Sequence, residues 1–155
     1  SASVGAYDLV RQTLAESGLS LDFWKVAMRP GKPLLSGHLG ATPIIGLPGN
    51  PVAALVCSMV FVAPAIARMM GQTVSDTLPT ETAILGADMA QNDQRQDFLR
   101  ATLATPHEGL PVVTPFARQD SAQLHILAQS QALIVRPPNA PAAPAGSPCQ
   151  IMRLT

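Results

Sequence analysis

Apolar positions along the chain change rhythm near Gly71. Before it they come in long segments. Tyr7, Leu9, Val10 and Leu14 approximate helical spacing, which predicts a helix over 7–17 stopped by Gly18. Residues 21–28 read as a strand, with Trp24, Val26 and Met28 on one face and Lys25, Ala27 and Arg29 on the other. Pro30-Gly31-Lys32-Pro33 makes a turn, after which 34–39 and 42–47 read as two further strands. Pro48-Gly49-Asn50-Pro51 then opens an apolar helix to about Met70. Helix, three continuous apolar strands and helix predict one side of an α/β sandwich. The stretch from Val52 to Ala67 falls short of the ~20 residues a bilayer needs, contains Pro64 and is Ala-rich. It predicts a buried helix and no membrane span.

Beyond Gly71 the pattern shortens. The polar segment 72–80 has no apolar period and reads as a linker. Residues 83–89, 98–104, 112–116, 132–135 and 150–154 read as five short strands bounded by Pro, Gly, Asn or Asp, which predicts a small barrel or sandwich. Residues 121–129 read as a short helix capped by Ser121. The Pro- and Ala-rich stretch 137–148 reads as a surface loop. The chain thus divides into an α/β part over 1–71, a linker over 72–80 and an all-β barrel over 81–155.

Composition sharpens this picture. With 47% apolar and only 13% charged residues, the chain is too hydrophobic for disorder. Ten basic and ten acidic residues cancel, so the chain as a whole has no electrostatic case for nucleic acid or an anionic membrane. Any anion site is therefore local. The cancellation hides an asymmetry, because 1–71 carries five basic against three acidic groups and 72–155 carries five against seven. Cys57 and Cys149 stand far apart without ligand-like neighbours, which argues against a disulfide scaffold and fits a reducing cytosol.

Three local features carry candidate chemistry. At Gly49-Asn50-Pro51 a strand runs into a helix start, with Asn50 as N-cap and Pro51 at the first helical position. Such a terminus suits a phosphate-like anion, and the same residues also suffice for a sharp turn. Lys25, Arg29 and Lys32 place three cations within eight residues. On one strand face Lys25 and Arg29 would meet an oxyanion together, although such clusters also occur as solvated edges. Asp8, in Ser3-Val4-Gly5-Ala6-Tyr7-Asp8, offers a carboxylate for Mg²⁺ or simply a helix first-turn acid. His38, His107 and His125 have no metal-ligand spacing and read as structural or surface residues.

Taken together, SVGAYD, FWKVAMRPGKP and GLPGNP closely resemble the MoeA family of molybdopterin molybdenumtransferases, relatives of the gephyrin C-terminal region. DFLRATL and SAQLHILAQSQALIVRPP are similar to segments of that family's C-terminal barrel. The resemblance covers essentially the whole chain. It implies a partial three-layer molybdopterin-binding α/β domain followed by a small all-β barrel. It also implies ligation of molybdate to adenylylated molybdopterin with loss of AMP, assisted by Mg²⁺.

By the same resemblance Asp8, Lys25 and Arg29 are the catalytic candidates, with Asp8 as metal ligand. Ser3, Gly5, Lys32, Pro48, Gly49, Asn50 and Pro51 are the substrate-binding candidates. Ala6 stands where many relatives carry an acidic residue, which leaves Asp8 as that motif's sole carboxylate. No function is carried onto the barrel. The implied setting is a cytoplasmic homodimer with a molybdopterin adenylyltransferase as a possible partner. The chain reads as a C-terminal fragment, inactive alone, with part of its site on preceding residues. Competing readings are a gephyrin-type scaffold that binds a partner through the barrel and its junction, and a molybdopterin adenylyltransferase-like domain. Intact cations and turns favour the enzyme.

Overall fold

Hydrogen bonding sorts nine strands into two sheets in the computed structural model, which describes residues 13, 15–75, 77–104, 109–119 and 124–154. Most of the expected helix over 7–17 lies outside them. Its end is visible: Gly18 takes a φ of +89° and its N–H donates to Ala15 O at 3.0 Å. Glycine adopts that conformation without the Cβ penalty other residues meet.

The first sheet joins β1 (Leu19–Trp24), β3 (Leu35–Leu39) and β4 (Thr42–Gly46) in the order β1-β3-β4, antiparallel throughout. The expected single strand over 21–28 is instead broken. Lys25 has a φ of +79°, after which β2 (Met28–Arg29) leaves this sheet and pairs in parallel with the other. Lys25 and Arg29 therefore do not share one strand face. Alternation of apolar residues reads straight through the break, because nothing in the side-chain pattern reports a left-handed backbone at a lysine.

The apolar helix runs from Pro51 to Met69. It comprises α1 (Pro51–Cys57), a π-helical stretch Ser58–Val62 and α2 (Ala63–Met69). The widened turn comes just ahead of Pro64, whose ring lacks an N–H and crowds the preceding turn of a regular helix. Burial differs from the expectation. Only Val52, Ala53, Val56 and Cys57 are buried, while Leu55, Ile66, Met69 and Met70 are exposed. The helix buries its first two turns and packs Met59, Val60 and Phe61 partly buried against the same core as Val56 and Cys57, and its nineteen residues are long and apolar enough to cross a bilayer by length and composition.

The second sheet closes on itself. β5 (Glu81–Leu85), β6 (Gln96–Ala104), β7 (Val112–Pro115), β8 (Ala132–Arg136) and β9 (Pro148–Arg153) follow the order β6-β7-β5-β9-β8, and β8 returns to β6. Five expected strands thus form a closed barrel, which leaves its ring without an open edge. Ala83, Leu85, Ala101, Val113, Ile134 and Ile151 fill its interior. The short helix α3 (Leu124–Gln129) appears where expected, although Ser121, its expected cap, lies outside the described residues. The loop 137–148 is tied down by Arg136, whose Nη2 donates to Pro141 O at 2.7 Å and Ala90 O at 3.0 Å.

A strand pairing and a shared core help fasten the α/β part to the barrel. β2 adds to β6 as a sixth strand, with Met28 opposite Gln96 and Arg29 opposite Asp97. A shared core then combines Met28, Leu34, Val56 and Cys57 with Phe98, Leu133 and Met152 of the barrel.

Candidate oxyanion-binding site

A cavity of about 450 Å³ opens where these parts meet. The turn Arg29 to Pro33 forms one wall, and Pro48, Gly49 and Asn50 at the entry to α1 form a second. Arg95 and Gln119 of the barrel form the third. The structure therefore brings Arg29, Lys32, Pro48, Gly49 and Asn50 together. Lys25 and Pro51 do not line the cavity, and Ser3, Gly5 and Asp8 lie outside the described residues.

The turn is set by packing as much as by sequence. Gly31 has a φ of +124°, and a Cβ there would meet Cys57 Sγ at 2.6 Å. Only glycine fits both restrictions, so the turn seats on the first helix and leaves Lys32 exposed beside the cavity. Burial pushes the Cys57 thiol up to about 11, so it stands there as an uncharged apolar group.

The three expected cations differ in their freedom. Lys25 stacks its ammonium over the Trp24 ring, 4.1 Å from the centroid. Arg29 donates through Nη2 to Asp97 Oδ2, with Nη1 at 3.7 Å from Asp93 Oδ2. Asp93 is also held by Arg95 at 2.6 Å, a hydrogen bond that lowers its carboxyl to about 2. Lys32 enters no ion pair among the described residues. It is the cation left available for an anion in the cavity.

The helix entry also differs from the expectation. Asn50 caps α1 as anticipated, its Oδ1 accepting from Val52 N at 3.0 Å and Ala53 N at 3.3 Å. Those N–H groups are thereby used, Pro51 has none, and Ala54 N donates to Asn50 O at 2.8 Å. The terminus is closed to direct phosphate capture in this conformation. Gly49 faces open space, so its lack of a side chain keeps the cavity wall low.

Sequence reasoning missed the barrel wall. Arg95 and Gln119 reach the cavity through the fold alone, since Gln119 is fixed by its bonds with the Arg100 backbone at 2.9 Å on both sides of the amide. Among the described residues no group of three His, Cys, Asp or Glu is placed to hold a metal. The two acids near the turn, Asp93 and Asp97, are both engaged by arginines. His38 pairs with Asp22 at 3.3 Å, well exposed, His125 is exposed and His107 lies outside the described residues.

Residues 1–68 match the family model described as a probable molybdopterin binding domain, and residues 82–154 match that of the MoeA C-terminal region, domain IV. The chain belongs to the MoeA family. It is 33% identical over 158 residues to molybdopterin molybdenumtransferase 2 of Mycobacterium tuberculosis, covering 99% of this chain and 38% of that protein. It is 35% identical over 133 residues to the molybdopterin molybdenumtransferase of Haemophilus influenzae, covering 86% of this chain and 33% of that protein. Among solved structures, a molybdopterin biosynthesis MoeA protein from Pyrococcus horikosii superposes with a TM-score of 0.74 at 22% identity, over 94% of this chain and 34% of that one. That likeness supports the fold. The MoeA-family chain described here spans little more than a third of the relatives it matches.

Proposed function

We propose that this chain supplies one wall and the barrel abutment of a molybdopterin molybdenumtransferase site, in which molybdate is joined to adenylylated molybdopterin and AMP is released. The observation that carries the reading is Lys32, an uncompensated cation on a rigid glycine turn beside a cavity large enough for an oxyanion and part of a phosphate. Such a fixed charge acts where negative charge gathers, without reorganising as the substrate reacts.

Lys32 holds the oxyanion or the neighbouring phosphate. Pro48, Gly49 and Asn50 shape the opposite wall, and Pro51 starts the helix behind it. Lys25 and Arg29 contribute to the local positive potential, Arg29 with its charge largely matched by two carboxylates. By the family resemblance Ser3 and Gly5 contribute substrate contacts and Asp8 a metal ligand; all three lie outside the described residues. Asp8 is the carboxylate that would hold Mg²⁺, because the described acids do not assemble a metal site. The family resemblance supports a cytoplasmic homodimer that receives its substrate from a molybdopterin adenylyltransferase.

The test is Lys32→Ala in the complete enzyme. Molybdate-dependent AMP release should drop by about 10²–10³-fold, the usual effect of removing one oxyanion contact. Turnover within twofold of the parent would refute the reading.

A further inference from the structure

The acid opposite Arg29 is the better-anchored member of that pair. Asp97 lies in β6 of the barrel with its side chain 4% exposed, whereas the Arg29 side chain is 48% exposed. Among the described residues Asp97 Oδ1 has no hydrogen-bond partner. A buried carboxylate stripped of its cation is strongly unfavourable. The pairing is thus demanded from the barrel side. Register makes it possible, because β2 lies parallel to β6 with Arg29 opposite Asp97 and Gln96 N donating to Ala27 O at 2.9 Å. Three residues beyond Arg29 comes Lys32, whose carbonyl accepts from Val26 N at 3.1 Å.

We propose that Asp97 is a positioning residue for the oxyanion site. By holding Arg29 it makes barrel strand β6 the reference that sets where Lys32 stands. By matching the charge of Arg29 it leaves Lys32 as the cation the cavity presents. The inference rests on the reading of Lys32 as an oxyanion contact, and it separates from simple electrostatics by its sign. A carboxylate near an anion site repels the anion, so Coulomb's law alone says that its neutralisation strengthens binding. Positioning says the opposite.

The experiment uses the complete enzyme with Asp97→Asn, Asp97→Glu and Lys32→Ala, molybdate as the titrated probe, and amide exchange as a second readout. Asp97→Asn should speed exchange at the Val26 and Gln96 amides about tenfold and weaken molybdate about tenfold, equivalent to 1.4 kcal/mol. Exchange at Ile134, between β6 and β9 in the barrel, should not change. Asp97→Glu should restore most of both. Lys32→Ala should lose molybdate with exchange at both amides intact. Parent-like exchange in Asp97→Asn, or tighter molybdate, would overturn the proposal. Should Asp97→Asn not fold, the neutral pair Asp97→Asn with Arg29→Gln removes the stranded charge and gives the same two readouts. If no protein binds molybdate, the parent included, the oxyanion reading falls, and the claim that Asp97 positions an oxyanion site falls with it. Exchange then reports only whether Asp97 fixes the turn, so the two failures are told apart.

Discussion

The barrel and the α/β part solve the problem of burying apolar surface in different ways. The barrel closes five strands around its own interior, with Ala83, Ala101, Val113, Ile134 and Ile151 all at 0% exposure. The α/β part has no comparable interior among the described residues. Leu21, Phe23 and Leu39 of its sheet and Leu55, Ile66, Met69 and Met70 of its helix are exposed, and its buried residues Met28, Leu34, Val56 and Cys57 pack with barrel side chains. A closed ring can stand on its contacts, whereas a three-stranded sheet with one helix borrows a partner. The site lies on that borrowed surface, which is why barrel residues line it.

Truncation tests this contrast most severely. Ile134→Ala should cost about 2–5 kcal/mol through the cavity it leaves in the barrel. Ile66→Ala, at a position 51% exposed, should change stability by less than about 1 kcal/mol. Urea denaturation measures both, and similar losses would erase the distinction.

Gly31→Ala probes the seam between the two parts. The added Cβ meets Cys57 Sγ and forces an unfavourable φ, so an intermediate loss of about 1–3 kcal/mol is expected. Anion binding at Lys32 should fall with it, while barrel amides keep their protection. A variant with parent-like thermal stability would show that the turn does not rest on the helix.

The smallest effect is a pH response. Cys57 holds its proton in the folded chain up to about 11, while the unfolded thiol ionises near 9.0. The folded pKa is raised, so stability is fully present below about 9 and declines as pH rises towards 11. Cys57→Ala should flatten that decline relative to the parent in denaturation curves at pH 8 and pH 10.

How much of this is written in the sequence depends on range. The five barrel strands, the Gly18 stop, the Asn50 cap and the 30–33 turn are local consequences of periodicity, capping and backbone preference. The MoeA family itself was legible from three short motifs. The break at Lys25 was not, because lysine gives no sign of a left-handed backbone and the apolar alternation continues past it. The engagement of Arg29 was hidden for another reason: its partner stands sixty-eight positions away. Charge clusters show where cations are, and only the fold shows which are already answered.

The parallel addition of β2 to β6 gives the molecule an order of connection that differs from its order along the chain. A nick within 72–80 would sever the backbone without releasing β2, which would stay seated beside Gln96 and Asp97 as a donated strand. The two pieces would behave as a complementation pair, each carrying half of one ion pair and half of one core. Joined, they need no intact linker to keep the site assembled; apart, the barrel is left with a buried carboxylate and no cation to meet it.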